Sequence, residues 1–327
     1  MALVGITTTV PVEIVYAAGW TPVDLNNVFI GTPDARALVE AAEAAGYPRN
    51  VCAWVKGIYA ALERRKDIRT VIAVVQGDCS STRALMETLE LAGIEVLPFS
   101  YPYDRDPGLL RREMERLMCF FGVDWEAVRR AKERLDRVRR LVWELDELTW
   151  REDRVSGWAN HYYQVCCSDF NGDPEGFGRE VEGYLARARA ASPSPPRVRL
   201  AYIGVPPIVP ELYHHLEERG ARVVFNETQR QFSMPFPGVD VVEQYRRYTY
   251  PYGVFYRLAD IGRELRRRRV QGVIHYVQSF CHRQIEDLVV RARLDLPILT
   301  LEADRPGELD GRARIRLEAF LEMLGSG

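Results

Sequence analysis

"GVIHYVQSFCHR" (residues 272–283) opens as a buried strand and stops abruptly at a cysteine. The apolar run from Val273 to Val277 gives way to Gln278-Ser279-Phe280-Cys281, and charged helix formers follow. Upstream, "TVIAVVQGDCSS" (70–81) repeats the arrangement. Val71-Ile72-x-x-Val75-Gln76-x-x-Cys79 matches Val273-Ile274-x-x-Val277-Gln278-x-x-Cys281. Two copies of V-I-x-x-V-Q-x-x-C, about two hundred residues apart, imply two similar lobes. Each would present a cysteine where a parallel strand hands over to a helix.

The surrounding pattern supports an α/β fold. After the Ser/Pro-rich "ARAASPSPPRVRL" (188–200), strand "VRLAYIGVP", helix "PELYHHLEERG" and strand "ARVVFNE" follow in turn. Helix "VFYRLADIGRELRRRR", strand "VQGVIHYVQ", helix "CHRQIEDLVVRARL", strand "LPILTLE" and a helix ending "EAFLEML" complete that half. Such alternation means βαβ units and a parallel sheet. The first half is less regular. "PVEIVYAAGW", "PDARALVEAAEAAG" and "VCAWVKGIYAALERR" read as helices, before strand "TVIAVVQ", helix "STRALMETLELAG" and strand "IEVLPFS". Residues 124–150 read as one long amphipathic helix, either a brace between the lobes or a subunit interface. The expected division is 1–192, an N-terminal lobe with a long helical extension, and 193–327, a C-terminal lobe. Residues 229–253, rich in Pro, Tyr and Arg, read as an irregular lid or packed connector.

The totals exclude several functions. A chain of 327 residues suits two α/β domains, and a net charge of −2 argues against nucleic-acid binding. No apolar run reaches the ~18 residues that a membrane-spanning helix needs. The N-terminus lacks a basic segment ahead of its apolar residues and is broken by Glu13, so it does not read as a secretory signal. Cytoplasm is the expected compartment, and there the six cysteines would be reduced thiols or ligands.

In open parallel sheets, ligands bind beyond the carboxyl ends of the strands. Cys79 and Cys281 would sit there, and Cys52, after Asn50 in "PRNVCAWVKGIY", also opens a helix. Helix starts favour thiolate over thiol. Thiolates select zinc or iron–sulfur clusters. Without C-x₂-C pairs or a fourth protein ligand, three thiolates suit a 4Fe–4S cluster with one open iron better than structural zinc. Cysteine also packs as a small hydrophobe. Cys119 in "RLMCFFG" and vicinal Cys166-Cys167 in "YQVCCSDF" take that packing reading, and for Cys52, Cys79 and Cys281 both readings stay open.

Five segments, taken jointly and in order, give the chain a family resemblance. They are "VPVEIVYAAGWTPVDLN" (10–26), "CAWVKG" (52–57), "QGDCSSTRAL" (76–85), "QSFCHRQIED" (278–287) and "ILTLEAD" (298–304). The chain resembles the 2-hydroxyacyl-CoA dehydratase D-component family, which includes benzoyl-CoA reductase subunits. That resemblance implies two Rossmann- or flavodoxin-like lobes with a 4Fe–4S cluster in the cleft between them. It places the cluster ligands at Cys52, Cys79 and Cys281. It implies radical lyase or reductase chemistry under anaerobic conditions. An ATP-dependent activator donates a low-potential electron, which reaches an acyl-CoA thioester carbonyl and forms a ketyl. The chain itself has no G-x-x-x-x-G-K-[ST] loop for ATP. Partners implied are that activator and a second dehydratase-type subunit or a second copy of this chain. Glu13, His282, Glu286, Glu302 and Asp304 lie in or beside the matching motifs. Glu13, His282 and Glu286 are the candidates for proton handling, against capping or ion-pairing roles. Lys56 and Arg283 are candidates for neutralising cluster or CoA phosphates.

Two alternatives remain. A related branch, reductases of small substrates, carries a double-cubane cluster with extra cysteines near the position of "FNETQ" (225–229), where none stands here. The other is a two-lobed binding protein that has kept the fold and lost the cluster.

Overall fold

The computed structural model describes residues 2–325. The chain begins β1 (Leu3–Ile6), α1 (Val12–Ala17), β2 (Thr21–Asp24), α2 (Leu25–Gly31), α3 (Ala35–Ala44) and α4 (Ala53–Arg64). It continues through β3 (Thr70–Gln76), α5 (Thr82–Leu91) and β4 (Glu95–Ser100). Four helices follow: α6 (Pro107–Phe121), α7 (Trp125–Trp150), α8 (Gly157–Val165) and α9 (Pro174–Ala190). Then come β5 (Val198–Gly204), α10 (Glu211–Glu217), β6 (Ala221–Asn226), α11 (Glu227–Phe232) and α12 (Val241–Arg247). The chain ends with α13 (Val254–Arg267), β7 (Gly272–Gln278), α14 (Glu286–Arg293), β8 (Ile298–Ala303) and α15 (Gly311–Gly325).

The strands form two four-stranded parallel sheets, ordered β2-β1-β3-β4 and β6-β5-β7-β8. Both therefore run 2-1-3-4 in their own numbering. The repeated V-I-x-x-V-Q segment falls on the third strand of each, β3 and β7, as the sequence pattern implies. All seven residues of β7 are buried, the pattern of a central strand covered on both faces.

Two compact units contain these sheets. One comprises the chain up to Arg140 with Cys166–Gly178 and Met234–Gly253; the other comprises Leu141–Val165, Arg179–Ser233 and the chain from Val254. Helix α7 thus starts in the first unit and ends in the second. In the first unit, Leu25, Val55, Ile58, Leu62, Val71, Leu85 and Leu89 form a core cluster. Gly57 is required there, because a Cβ would stand 2.3 Å from the Phe29 ring. In the second unit, Ile203, Phe225, Ile261, Leu265, Val273 and Val290 form the corresponding cluster.

Local chemistry sets the helix starts. Asp24, Asp34, Asp106 and Asp240 accept backbone N–H groups at the heads of α2, α3, α6 and α12, the ordinary role of Asp at an N-cap. The stretch 229–253 departs from the irregular segment expected. It contains the end of α11 and all of α12, short helices whose Pro- and Tyr-rich flanks mask their period. Cys119 also departs from expectation. It lies on the exposed face of α6, while Met114, Leu117 and Met118 supply the buried face.

Candidate functional site

Each repeated cysteine follows the third strand of its sheet. After β3 the chain turns at Gly77 (φ +99°), where a Cβ would meet Pro251 O and Tyr101 Cβ at 2.9 Å. Cys79 comes next. Its Sγ accepts the Ser81 N–H at 3.3 Å, and its carbonyl accepts the Thr82 N–H at the start of α5. Cys52 occupies the N-cap of α4 and is buried in the first core cluster, against which Cys79 also packs. The structure thus brings these two thiols to one core, as an N–H-rich pair of helix starts.

After β7 the turn differs. Phe280, half exposed, takes φ +63°, a left-handed conformation that a bulky residue adopts only at a cost of about 1–2 kcal/mol. Cys281 follows at the N-cap of a 3-10 turn (His282–Ile285) that runs into α14. Its N–H donates to Gln278 O, and its carbonyl accepts the Gln284 N–H, both at 3.1 Å. The repeated glutamine has unequal duties. Gln278 is pinned by the Tyr276 hydroxyl at 2.8 Å and the Asp304 carbonyl at 2.7 Å, while Gln76 is exposed.

Cys281 belongs to the second unit and the other two thiols to the first. Among the described residues no set of three or more His, Cys, Asp and Glu side chains is gathered as a metal-binding group.

A family model described as 2-hydroxyglutaryl-CoA dehydratase, D-component, matches residues 7–324. The chain belongs to that family. No curated protein matches the chain. Membership makes it a dehydratase-type enzyme subunit, a component that works with partner subunits. Among the described residues no helix is long and apolar enough to cross a membrane.

Within this dehydratase component, most of the charged candidates are held in ion pairs. Glu13, fully buried in the first turn of α1, accepts from Arg139 Nη1 and Gln244 Nε2, each at 2.7 Å, and from the Tyr245 hydroxyl at 2.8 Å. Burial raises its pKa, but the Arg139 guanidinium and these hydrogen bonds outweigh it and hold the carboxyl below its usual range. Lys56 is buried, its Nζ donating to Glu43 at 2.8 Å and to the Arg49 carbonyl at 3.1 Å. Glu286 pairs with Arg257 and, at 3.3 Å, with Arg283. Arg257 grips Glu227 with two bonds of 2.8 and 2.9 Å, and Glu227 accepts the Gly204 N–H at the end of β5. Burial, with Arg283 adding to it, pushes the His282 pKa down, leaving a neutral imidazole at pH 7. Glu302 accepts from the Ser279 hydroxyl at 2.7 Å. Sequence reasoning missed Arg139, Arg257 and Glu227, whose partners lie far away in the chain.

A second carboxylate feature escaped the motifs. Asp24 N–H donates to Asp169 Oδ2 at 2.7 Å, and both side chains are buried. Burial first, and then the Asp24 charge, push Asp169 up to about 7. The folded chain therefore retains a proton that the unfolded chain releases near pH 4. The stabilisation this brings is complete below that pH and is lost as pH rises through about 7. Asp24→Asn removes the like charge and keeps Oδ1 for the Asn26 N–H that it now accepts. The variant is expected to exceed the parent in stability by about 1–2 kcal/mol at pH 8 and to match it near pH 4. Thermal melts at both pH values check this, and a difference that ignores pH would refute it.

Proposed function

We propose that this chain is the iron–sulfur subunit of a 2-hydroxyacyl-CoA dehydratase or benzoyl-CoA reductase-like enzyme. In this reading Cys52, Cys79 and Cys281 hold one 4Fe–4S cluster. An ATP-dependent activator supplies the low-potential electron, an acyl-CoA thioester receives it, and a second dehydratase-type subunit or a second copy of the chain completes the enzyme. The observation that carries it is topological: two sheets of identical strand order each deliver a cysteine just beyond the third strand. The thiols suit such a group, since soft sulfur donors at helix starts meet backbone N–H groups, as Ser81 N–H already meets Cys79 Sγ. A bound cluster supplies one-electron chemistry at low potential. The chain's own contribution is to position the three cysteines through the turns after β3 and β7 and at the head of α4. We place this work in the cytoplasm, which keeps thiols reduced.

The double-cubane alternative would need the other three cysteines as ligands. Burial pushes the Cys167 thiol up to about 12, which disfavours the thiolate, and Cys119 lies exposed on α6. Glu227, in the region where that branch carries extra cysteines, is committed to Arg257. Iron analysis after anaerobic purification tests the reading. Parent protein and the triple variant Cys119→Ser, Cys166→Ser, Cys167→Ser should both hold about four irons per chain. About eight in the parent and half that in the variant would establish the double cubane; an iron-free parent would establish the binding protein.

A further inference from the structure

The turn that presents Cys281 is strained, and its strain has to be held. The first sheet makes its corresponding turn with a glycine, Gly77 at φ +99°, which takes a left-handed conformation at no steric cost. After β7 the left-handed residue is Phe280 (φ +63°), directly before Cys281, with its ring half exposed. Strained residues of this kind persist only where their surroundings over-determine them.

Two of the ties are local. Ser279 donates its N–H to the Ala303 carbonyl at 2.9 Å and its hydroxyl to Glu302 at 2.7 Å, which joins the turn to β8. Gln284 Nε2 donates back to the Gln278 carbonyl at 2.7 Å. The third tie is ionic and comes from far along the chain. Arg257, fully buried near the head of α13, holds Glu227, which is equally buried and accepts the Gly204 N–H at the end of β5 at 3.0 Å. The same guanidinium donates to Glu286, and Glu286 pairs with Arg283 of the turn at 3.3 Å. The next residue, Asp287, anchors α14 independently: it meets His275 Nδ1 at 2.6 Å and accepts the Thr300 hydroxyl at 2.8 Å.

We infer that Arg257 is a positioning residue for Cys281, holding the strained turn in place through Glu286. The inference rests on Cys281 being a cluster ligand. An arginine suits the task because its planar fork serves carboxylates from two different elements at once, which a lysine ammonium does less well. With the turn fixed in advance, the thiol needs no ordering before it ligates.

Hydrogen exchange of the iron-free, full-length chain tests this. Glu286→Gln breaks the tie at the turn and leaves the buried Arg257–Glu227 pair intact. Arg257→Gln combined with Glu227→Gln breaks it from the other side and strands no charge in the core. In both, the N–H groups of Ser279, Cys281 and Gln284 should exchange about tenfold or more faster than in the parent, the scale of a lost charged hydrogen bond. The N–H groups of β7, and that of Thr82 at the Cys79 turn, should keep their parent rates. Adding Phe280→Gly to Glu286→Gln should recover part of the protection, because glycine holds φ +63° without strain. In protein loaded with iron and sulfide, release of iron to a chelator should quicken in Glu286→Gln. Parent-like exchange at the turn of Glu286→Gln, acceleration spread evenly over β7, or no recovery with Phe280→Gly would each overturn the assignment. Exchange is read without iron, and iron content alone decides the cluster reading, so the two can fail separately.

Discussion

Cys281→Ser protein, reconstituted with iron and sulfide under anaerobic conditions, is expected to hold less than about one iron per chain where the parent holds about four. The expectation follows from ligand chemistry. A serine hydroxyl stays protonated at neutral pH and is a hard donor, so the proposed cluster would lose one of its three soft anionic ligands outright. The fold should not suffer. The turn at 278–284 is built from backbone bonds, Cys281 N–H to Gln278 O and Gln284 N–H to Cys281 O, which serine preserves. Oxygen replaces sulfur at a partly exposed position, so the expected change in stability is within about 1 kcal/mol. A parent-like melting temperature with the iron gone separates ligand loss from unfolding. Cys79→Ser and Cys52→Ser should behave likewise, although Cys52 is buried and its variant will melt somewhat lower. Parent-like iron in Cys281→Ser would remove Cys281 from the ligand set and undo the reading of the second lobe.

The legibility of this molecule from its sequence was uneven, for physical reasons. Strands β3, β5, β7 and β8 are apolar runs ended by turn residues or by charge, so burial in a parallel sheet is written into their composition. The matched residues on β3 and β7 therefore announced two like sheets. Strands β1 and β2 did not announce themselves. Each spans four residues, and β2 contains Pro22 and ends on Asp24, which also caps α2. Such a strand is recognisable only from its partner, β1, with which Thr21 to Asp24 are in parallel register. Helices α11 and α12, of six and seven residues, were hidden because their Pro- and Tyr-rich flanks mask so short a period, whereas the equally short α10 is followed by Gly220, a readable stop. Cys119 misled because "RLMCFFG" is apolar all round, and only the packing of α6 decides which side faces inward. At the candidate site, helix starts made Cys52, Cys79 and Cys281 visible. Glu13 was visible only as part of a motif; its guanidinium partner lies 126 residues on, and no local pattern links the two.

That separation makes Arg139 the residue whose loss should hurt the fold most plainly. Arg139→Met keeps much of the side-chain volume but leaves the Glu13 carboxylate buried without its counter-charge. Gln244 and Tyr245 still donate to it, and neither carries charge. Breaking one partner of a buried pair typically costs about 3–5 kcal/mol, and that is the loss expected at pH 7. The guanidinium also lies 5.5 Å from the Phe170 ring centre and 3.0 Å from Asp136, so part of the loss will not involve Glu13. The pH dependence isolates the Glu13 share. In the parent, its folded pKa is depressed, so the pair's stabilisation is present above the ordinary value of 4.5 and is lost as pH falls through the folded value. In the variant, only uncharged hydrogen bonds oppose burial, so the carboxyl pKa rises relative to the parent and protonation relieves the stranded charge in mild acid. The deficit measured by urea unfolding should therefore narrow between pH 7 and about pH 4.5. Glu13→Gln in the Arg139→Met background should restore a large part of the stability at pH 7, since an amide needs no counter-charge and can still meet the Tyr245 hydroxyl. A double-mutant cycle giving a coupling below about 1 kcal/mol would contradict the pairing argument. So would a deficit that stays constant with pH. Either result would return Glu13 to the set of groups free to carry protons.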